Sequence, residues 1–554
     1  MGRNYGTIDR DIFQHQVVGI AEEMSRALRR TAYSSIIWDM YDYACAIFTT
    51  EGELLAQAQT IPAQLGTMST ALEYMRTVVP LEEWQPGDVL ICNDPYKGCT
   101  HTPDITIFSP VFSRGELVAV TSTIAHHIDI GGKVPCTTQI DNVEVFGEGL
   151  IFPPTRLMAG GKPVQVVFDF ISSNVRSPRA CIGDLRAQIA GCRTAERRLE
   201  DLAGRYGNGD FRQLAAECLD YGERYARGVL AQLPDGRHEA EILMEDGIAQ
   251  DEHIRIKVAV EIAGDAIKVD FSGTDDQRAC ALNCPWSSTV SLTTYAIKCL
   301  TAPEIPQNEG FNRPISLTAP LGSLLNPRRP AAVGSRHFAQ QAVADVVLKA
   351  LAPLVPERSA AGCQISFPVW RAGGVDDRPS AKREAGRPKN FVIMDIIGGG
   401  MGGSAAADGM NAIDTHAGNC GILSAEVMET FSPVRVRQTR LVPGSGGAGR
   451  QRGGLAVERD YEILSETALV SCQRQQANDE TAPWGAEGGA PGGKAIGIIN
   501  PDTEKARELP ARFRHHTLHR GDIMRMRSAG GGGYGDPAER SPEALAHDRA
   551  EGYA

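Results

Sequence analysis

The chain has 554 residues, 42% apolar and 22% charged, with 56 Lys and Arg against 68 Asp and Glu and a formal net charge of −12. That length exceeds what one hydrophobic core fills, so several domains are expected, and the composition is that of a globular protein. The acidic balance argues against a general nucleic-acid surface, and no apolar run approaches the roughly 18–20 residues that a bilayer span requires.

In chain order, apolar residues at helical spacing (Val17, Ile20, Met24, Leu28) predict a helix over 9–33, capped by Asp9 or Asp11. Residues 43–48 read as a buried strand and 53–56 as its neighbour, so Asp42 stands at a strand entrance. A short apolar strand at 89–92 ends at Asn93-Asp94-Pro95, and 116–125 follows the turn Ser113-Arg114-Gly115 as a hairpin partner. Two charged amphipathic helices are expected at 184–205 and 210–232, separated by Gly207-Asn208-Gly209. From about 240 to 330 the alternation, as in Ile254-Arg255-Ile256-Lys257-Val258, predicts β structure; 338–353 returns to helix.

The stretch 371–390 is rich in Arg, Lys, Gly and Pro and reads as an exposed excursion. Glycine clusters follow at 398–403, 444–454 and 530–535. The expected fold is a mixed α/β (α+β) multi-domain chain. A metal-bearing N-terminal domain would span 1–235, a mainly β domain 236–335, and a Gly-rich α/β domain 336–554. The N-terminus is polar, without a signal-type apolar segment, so a cytoplasmic location is expected. Thirteen cysteines with no CxxC pair read as reduced, buried thiols, Cys99 among them.

Two His–Asp pairs share one spacing: His101-x-x-Asp104, in Asn93-Asp94-Pro95-Tyr96-Lys97-Gly98-Cys99-Thr100-His101-Thr102-Pro103-Asp104, and His126-x-x-Asp129, in Ala125-His126-His127-Ile128-Asp129-Ile130-Gly131-Gly132. A lone buried histidine is ordinarily a hydrogen-bonded core residue. Here three histidines and the carboxylates Asp94, Asp104 and Asp129 crowd between positions 94 and 129, flanked by Gly and Pro. Mixed imidazole and carboxylate donors suit a divalent zinc, manganese or iron ion in a catalytic setting. His101 and Asp104 can point the same way around a turn. At the second pair, an extended strand aligns His127 with Asp129, whereas a turn aligns His126 with Asp129.

Other motifs read as structure. Gly398-Gly399-Gly400-Met401-Gly402-Gly403 lacks the Gly-Lys-Ser/Thr of a P-loop and implies close backbone approach. His515-His516-x-x-His519 stands among Arg512, Arg514 and Arg520, a field that disfavours a cation, so a solvated strand edge is expected. No Gly-x-Ser-x-Gly elbow surrounds a serine.

These motifs resemble the hydantoinase B/oxoprolinase family nearly end to end. The match begins at Ser34-Ser35-Ile36-Ile37-Trp38-Asp39-Met40-Tyr41-Asp42 and runs through both His–Asp motifs. It continues with Glu148-Gly149-Leu150-Ile151-Phe152-Pro153-Pro154, Gly183-Asp184-Leu185-Arg186, Asp270-Phe271-Ser272-Gly273-Thr274 and Gly530-Gly531-Gly532-Gly533-Tyr534-Gly535. It departs at Trp38-Asp39, at Cys99 and at Gly334-Ser335, where the family commonly has Glu, a second Gly and Gly-Asn; the last change could alter a substrate pocket.

The resemblance implies a metal held by Asp42, His101, Asp104 and His126, with His127 and Asp129 close by. Asp42, Asp94, His127 and Asp129 are the candidate catalytic groups beside it. It also implies a hydantoinase A-type partner that binds ATP and phosphorylates the substrate. Water activated at the metal would then open a cyclic amide (a hydantoin, 5-oxoproline or related lactam). The alternatives are a component of an ATP-dependent ketone carboxylase and a non-catalytic scaffold with a structural metal.

Overall fold

The structure is a computed structural model and describes residues 5–136, 141–246, 252–379, 381 and 389–554, without the side chains of 512–515. The first strands are β1 (Tyr43–Phe48), β2 (Leu54–Gln57), β3 (Val89–Cys92), β4 (Asp104–Ser113), β5 (Glu116–His126), β6 (Thr155–Ala159) and β7 (Lys162–Pro163). They form an antiparallel seven-stranded sheet in the order β2-β1-β5-β4-β3-β6-β7. Arg114 and Gly115, both at positive φ (52° and 82°), make the two-residue turn that joins β4 to β5. Such turns match the twist of the strands they join.

This sheet is apolar on both faces. Ala44, Ala46, Phe48, Phe108, Val120 and Ile124 pack against Met68, Leu72 and Met75 of the helix Met68–Val78. The alternate positions Cys45, Ile47, Ile105, Ile107 and Ala125 face Met24 and Leu28 of the helix Thr7–Thr31 and Leu185 and Cys192 of the helix Pro178–Tyr206. Each buried aliphatic side chain contributes about 1.5–3 kcal/mol, and strand alternation fixes which face it joins. The first helix starts at Thr7, so Asp9 sits inside its first turn and accepts the Gly6 N–H at 3.0 Å rather than acting as the cap residue.

Strands β8 (Gly236–Glu245), β9 (His253–Ala263), β10 (Ala266–Asp270) and β11 (Ile315–Thr318) make a second sheet, ordered β11-β10-β9-β8. After Asp270 the β pattern is interrupted and returns only in β11. The helix Trp286–Thr301 follows where β structure is expected from the sequence. Its Ser and Thr residues favour strands or caps by propensity; the Thr293 and Thr301 hydroxyls return to the helix backbone (Thr289 O at 2.8 Å, Ile297 O at 2.7 Å), and those of Ser287, Thr289 and Ser291 donate to carbonyls of other segments. That satisfaction lets polar residues lie inside a buried helix.

The C-terminal part holds two more sheets. One, ordered β13-β12-β16-β19, contains β12 (Val369–Asp376), β13 (Lys389–Ile396), β16 (Thr467–Gln473) and β19 (Arg512–His519). The other, ordered β14-β15-β20-β17-β18, contains β14 (Val434–Leu441), β15 (Val457–Ile463), β20 (Ile523–Arg527), β17 (Ile496–Ile499) and β18 (Arg507–Glu508). The expected excursion at 371–390 is corrected at both ends, and its residues 380 and 382–388 lie outside the described residues. Residues up to Asp376 belong to β12, largely buried, and Lys389 already begins β13.

The glycine clusters meet one another backbone to backbone. A Cβ on Gly400 would stand 2.0 Å from the Gly454 carbonyl oxygen and 2.1 Å from the Gly531 nitrogen. Only hydrogen fits there. Among the described residues, no helix is long and apolar enough to cross a membrane.

Candidate metal centre

Three neighbouring strands end together and supply most of the centre. Asp104 opens β4 and His126 closes β5, directly opposite in register. Asp42 immediately precedes β1, and its carbonyl accepts the His126 N–H at 3.1 Å. Asp42, Asp104 and His126 continue the alternation of Ala44, Phe108 and Ile124, so all three side chains leave the same face of the sheet. His101 joins them through a turn in which the Asp104 N–H donates to its carbonyl at 3.1 Å.

The donor atoms converge. His101 Nε2 lies 3.1 Å from Asp104 Oδ1, His126 Nδ1 lies 3.0 Å from the same oxygen, and the two imidazole nitrogens are 3.2 Å apart. Asp42 Oδ2 is 3.9 Å from His126 Nδ1. His101 Nδ1 faces the Gly334 carbonyl at 3.1 Å, which places a proton there and leaves Nε2 with its lone pair toward the carboxylate. A lone pair against a carboxylate oxygen at that distance repels unless a cation lies between them. Spacings of 3.0–3.2 Å match adjacent ligands around one ion with bonds of about 2.1 Å, so the donor set fits a divalent metal.

The electrostatics agree. Burial, then the neighbouring Arg336, pushes His101 down to about 4, so its imidazole is neutral at neutral pH. Burial would raise Asp104, but His101, His126 and Arg336 overcome it and hold the carboxyl well below its ordinary range. Burial lifts Asp42 to about 6. Arg336 Nη2 donates to Asp104 Oδ2 at 2.8 Å, and Gln64 Nε2 donates to Asp42 Oδ1 at 2.8 Å; the Thr100 hydroxyl also donates to Asp104 Oδ2. The cluster sits in a narrow cleft whose other walls include Ile61, Phe367, Val369, Met394, Ile396 and Arg371.

The remaining candidates lie elsewhere. His127 leaves the opposite face of the sheet: its Nε2 is 3.1 Å from Gln188 Oε1 and its Nδ1 3.3 Å from Cys181 Sγ. Asp129 pairs with Arg176 at 2.8 Å and also accepts the Arg176 N–H. Asp94 accepts the Tyr96 N–H at 3.0 Å, capping a short turn, and pairs with Arg329 at 3.2 Å. None of the three lines the cleft.

Cys99 packs with Cys92, sulfur to sulfur 3.6 Å, in the apolar cluster below the sheet. Ser335 donates to Gln473 at 2.7 Å and stands outside the cleft lining. His516 accepts from Arg507 at 2.5 Å, and His515 has its side chain outside the described residues.

Sequence reasoning misses Gln64, Arg336, His337 and Arg371. They come from a short helix, Pro62–Leu65, from the start of the helix His337–Leu351 and from β12, all distant in sequence from the His–Asp motifs. Their only local signal is Gly334-Ser335, a departure from the family pattern that stands directly before Arg336-His337.

The fold and this site define a multi-domain mixed α/β protein with a buried His/carboxylate centre. The chain belongs to the Hydantoinase B/oxoprolinase family, whose model matches residues 7–537. It is 31% identical to the B component of a putative D-/L-hydantoinase from Pseudomonas sp. (strain NS671), over 96% of this chain and 90% of that one. Its fold superposes on the ATP-dependent caprolactamase from Pseudomonas jessenii with a TM-score of 0.90 and 27% identity, covering 100% of this chain and 95% of that one. Nucleotide-free acetone carboxylase shares the fold at a TM-score of 0.88 and 20% identity, covering 98% of this chain and 78% of that one.

Proposed function

We propose that this chain is the metal-bearing component of an ATP-dependent cyclic-amide hydrolase. The observation that carries the reading is the convergence of His101, Asp104 and His126 within hydrogen-bond distance of one another, with Asp42 beside them, in a largely apolar cleft. Asp42, His101, Asp104 and His126 would hold one divalent zinc, manganese or iron ion. When bound, such an ion polarises a carbonyl or phosphoryl oxygen and lowers the pKa of a bound water to about 7.

The chain's own residues do the positioning. The Gly334 carbonyl holds His101 in the tautomer that turns Nε2 inward. Arg336 and Gln64 orient Asp104 and Asp42. Ile61, Val369, Met394 and Ile396 exclude bulk solvent and suit the hydrocarbon part of a lactam ring.

ATP chemistry belongs to a hydantoinase A-type partner in this reading. Phosphorylating an amide oxygen turns a poor electrophile into a good one, and the glycine runs of this chain lack the Gly-Lys-Ser/Thr of a phosphate loop. Support comes from the whole-chain likeness to a protein named as one component of a hydantoinase and to a caprolactamase.

The test is ring opening by the purified two-component complex, given ATP and metal, across a panel of hydantoins and lactams. At least one should be opened with stoichiometric ADP. If none is, and labelled bicarbonate enters a ketone instead, the chain belongs to a carboxylase.

A further inference from the structure

Among the described residues, one guanidinium of the cleft has no carboxylate partner of its own. Arg371, on β12, is 4% exposed, and its Nε and Nη1 are buried without a hydrogen-bond partner. Among the described residues no carboxylate stands close enough to pair with it; the ionisable groups that bear on it are the thiols of Cys136 and Cys472, and burial presses it down to about 10. A guanidinium in such surroundings is unfavourable unless a ligand brings the anion.

Its neighbours point the same way. Arg336 gives Nη2 to Asp104 but leaves Nε unpartnered, and the Nε2 of His337 is also without a partner. His337 is the first residue of the 15-residue helix His337–Leu351, so the positive end of that helix lies at the cleft. Asp42, Asp104, Arg336 and Arg371 are the charged side chains of the lining and cancel formally. A divalent ion on the ligands would leave two positive charges to be matched.

We infer that this end of the cleft is an oxyanion subsite for a phosphoryl dianion carried on the amide substrate, with Arg371 as its main donor. The inference rests on the reading that the substrate arrives phosphorylated. A phosphoryl group, with three equivalent oxygens and two charges, satisfies Arg371, Arg336 Nε and His337 together and neutralises the metal-loaded cleft. A carboxylate offers two oxygens and one charge and leaves the balance unmet.

The experiment titrates inorganic phosphate, and separately acetate, into the full-length metal-loaded chain by calorimetry at fixed ionic strength. Arg371→Met keeps the apolar stem and removes the charge; Arg371→Lys keeps the charge and removes the fork. Saturable phosphate binding by the unmodified chain is expected, at least tenfold weaker in Arg371→Met and intermediate in Arg371→Lys, with acetate far weaker throughout. Without phosphate, the unfolding midpoint of Arg371→Met should equal or exceed that of the unmodified chain, an outcome that a merely structural arginine would not give.

Absent phosphate binding in the unmodified chain, or equal binding in Arg371→Met, overturns the subsite. So does acetate binding as tightly as phosphate and lost in the same variant, which would assign Arg371 to a substrate carboxylate. If Arg371→Met does not fold, Arg371→Lys binding phosphate as tightly as the unmodified chain has the same force. Metal content is measured on every sample. Metal-free protein or unopened amides count against the hydrolase reading, whereas a metal-loaded, ring-opening complex that ignores phosphate counts against the subsite alone.

Discussion

His126 and His127 are neighbours in sequence with opposite surroundings. His126 meets Asp104 and His101 on one face of the sheet, whereas His127 meets Gln188 and Cys181 on the other. His126→Ala should abolish metal retention, measured by elemental analysis. His127→Ala should keep the metal and lower stability by about 1–3 kcal/mol, because the Gln188 amide oxygen loses its buried partner. Equal metal loss in both would refute the assignment.

Glu148 provides a pH signature. Burial lifts its carboxyl to about 8, although the Val333 and Gly334 N–H groups donate to it at 3.0 and 2.6 Å. A carboxyl that is easier to protonate folded than unfolded contributes stability present in full below about 4.3, its ordinary value, and lost as pH rises toward 8. Glu148→Gln should flatten the fall in unfolding midpoint between about pH 5 and pH 8.5.

At the scale of elements, the centre depends on how closely the loop before β4 docks on the helix Met68–Val78. Gly98, at φ 98°, makes that approach possible: a Cβ there would stand 2.4 Å from the Ala71 nitrogen and 2.5 Å from the Thr70 carbonyl carbon. Both atoms are backbone, so a substitution must move the loop that carries His101. Gly98→Ala should cost about 1–3 kcal/mol of stability and weaken metal retention. Gly160→Ala is the control, since Gly160 also has positive φ (54°) but open space around it. Comparable metal loss in the two variants would show that strain alone, not the docking, sets the effect.

The same scale shows where sequence patterns work. The apolar runs of β1 and β5 are legible because each strand packs on both faces, and their limits place Asp42 and His126 at strand ends. The helix Trp286–Thr301 is not legible. Its Ser and Thr residues favour strand or turn by themselves, and the carbonyls that accept from Ser287, Thr289 and Ser291 belong to Cys99, Leu325 and Pro62, which only the completed fold brings there.

For the whole molecule, one contiguous set of buried apolar side chains extends from Phe13 to Met526 and includes residues of all four sheets. The proposed ligands lie where the first sheet meets the helix His337–Leu351 through Arg336 and the Gly334 carbonyl. A metal there stabilises the native chain by mass action, about 2.7 kcal/mol at a hundredfold excess over its dissociation constant. Chelation should therefore lower the unfolding midpoint, and added zinc or manganese should restore it. An unchanged midpoint would count against a bound ion.

By itself the sequence determined the strand ends and the local donors: His101 with Asp104 across one turn, and the adjacent pair His126-His127 just ahead of Gly131. These follow from short-range geometry, which spacing and alternation encode. Sequence could not choose between His126 and His127, and it assigned no place to Arg336, His337 or Arg371. Only the tertiary structure shows which face each of these side chains occupies. Which face of a strand meets which partner depends on distant chain, as when Arg336 reaches Asp104, and a guanidinium becomes unpaired only when the surrounding walls remove its water.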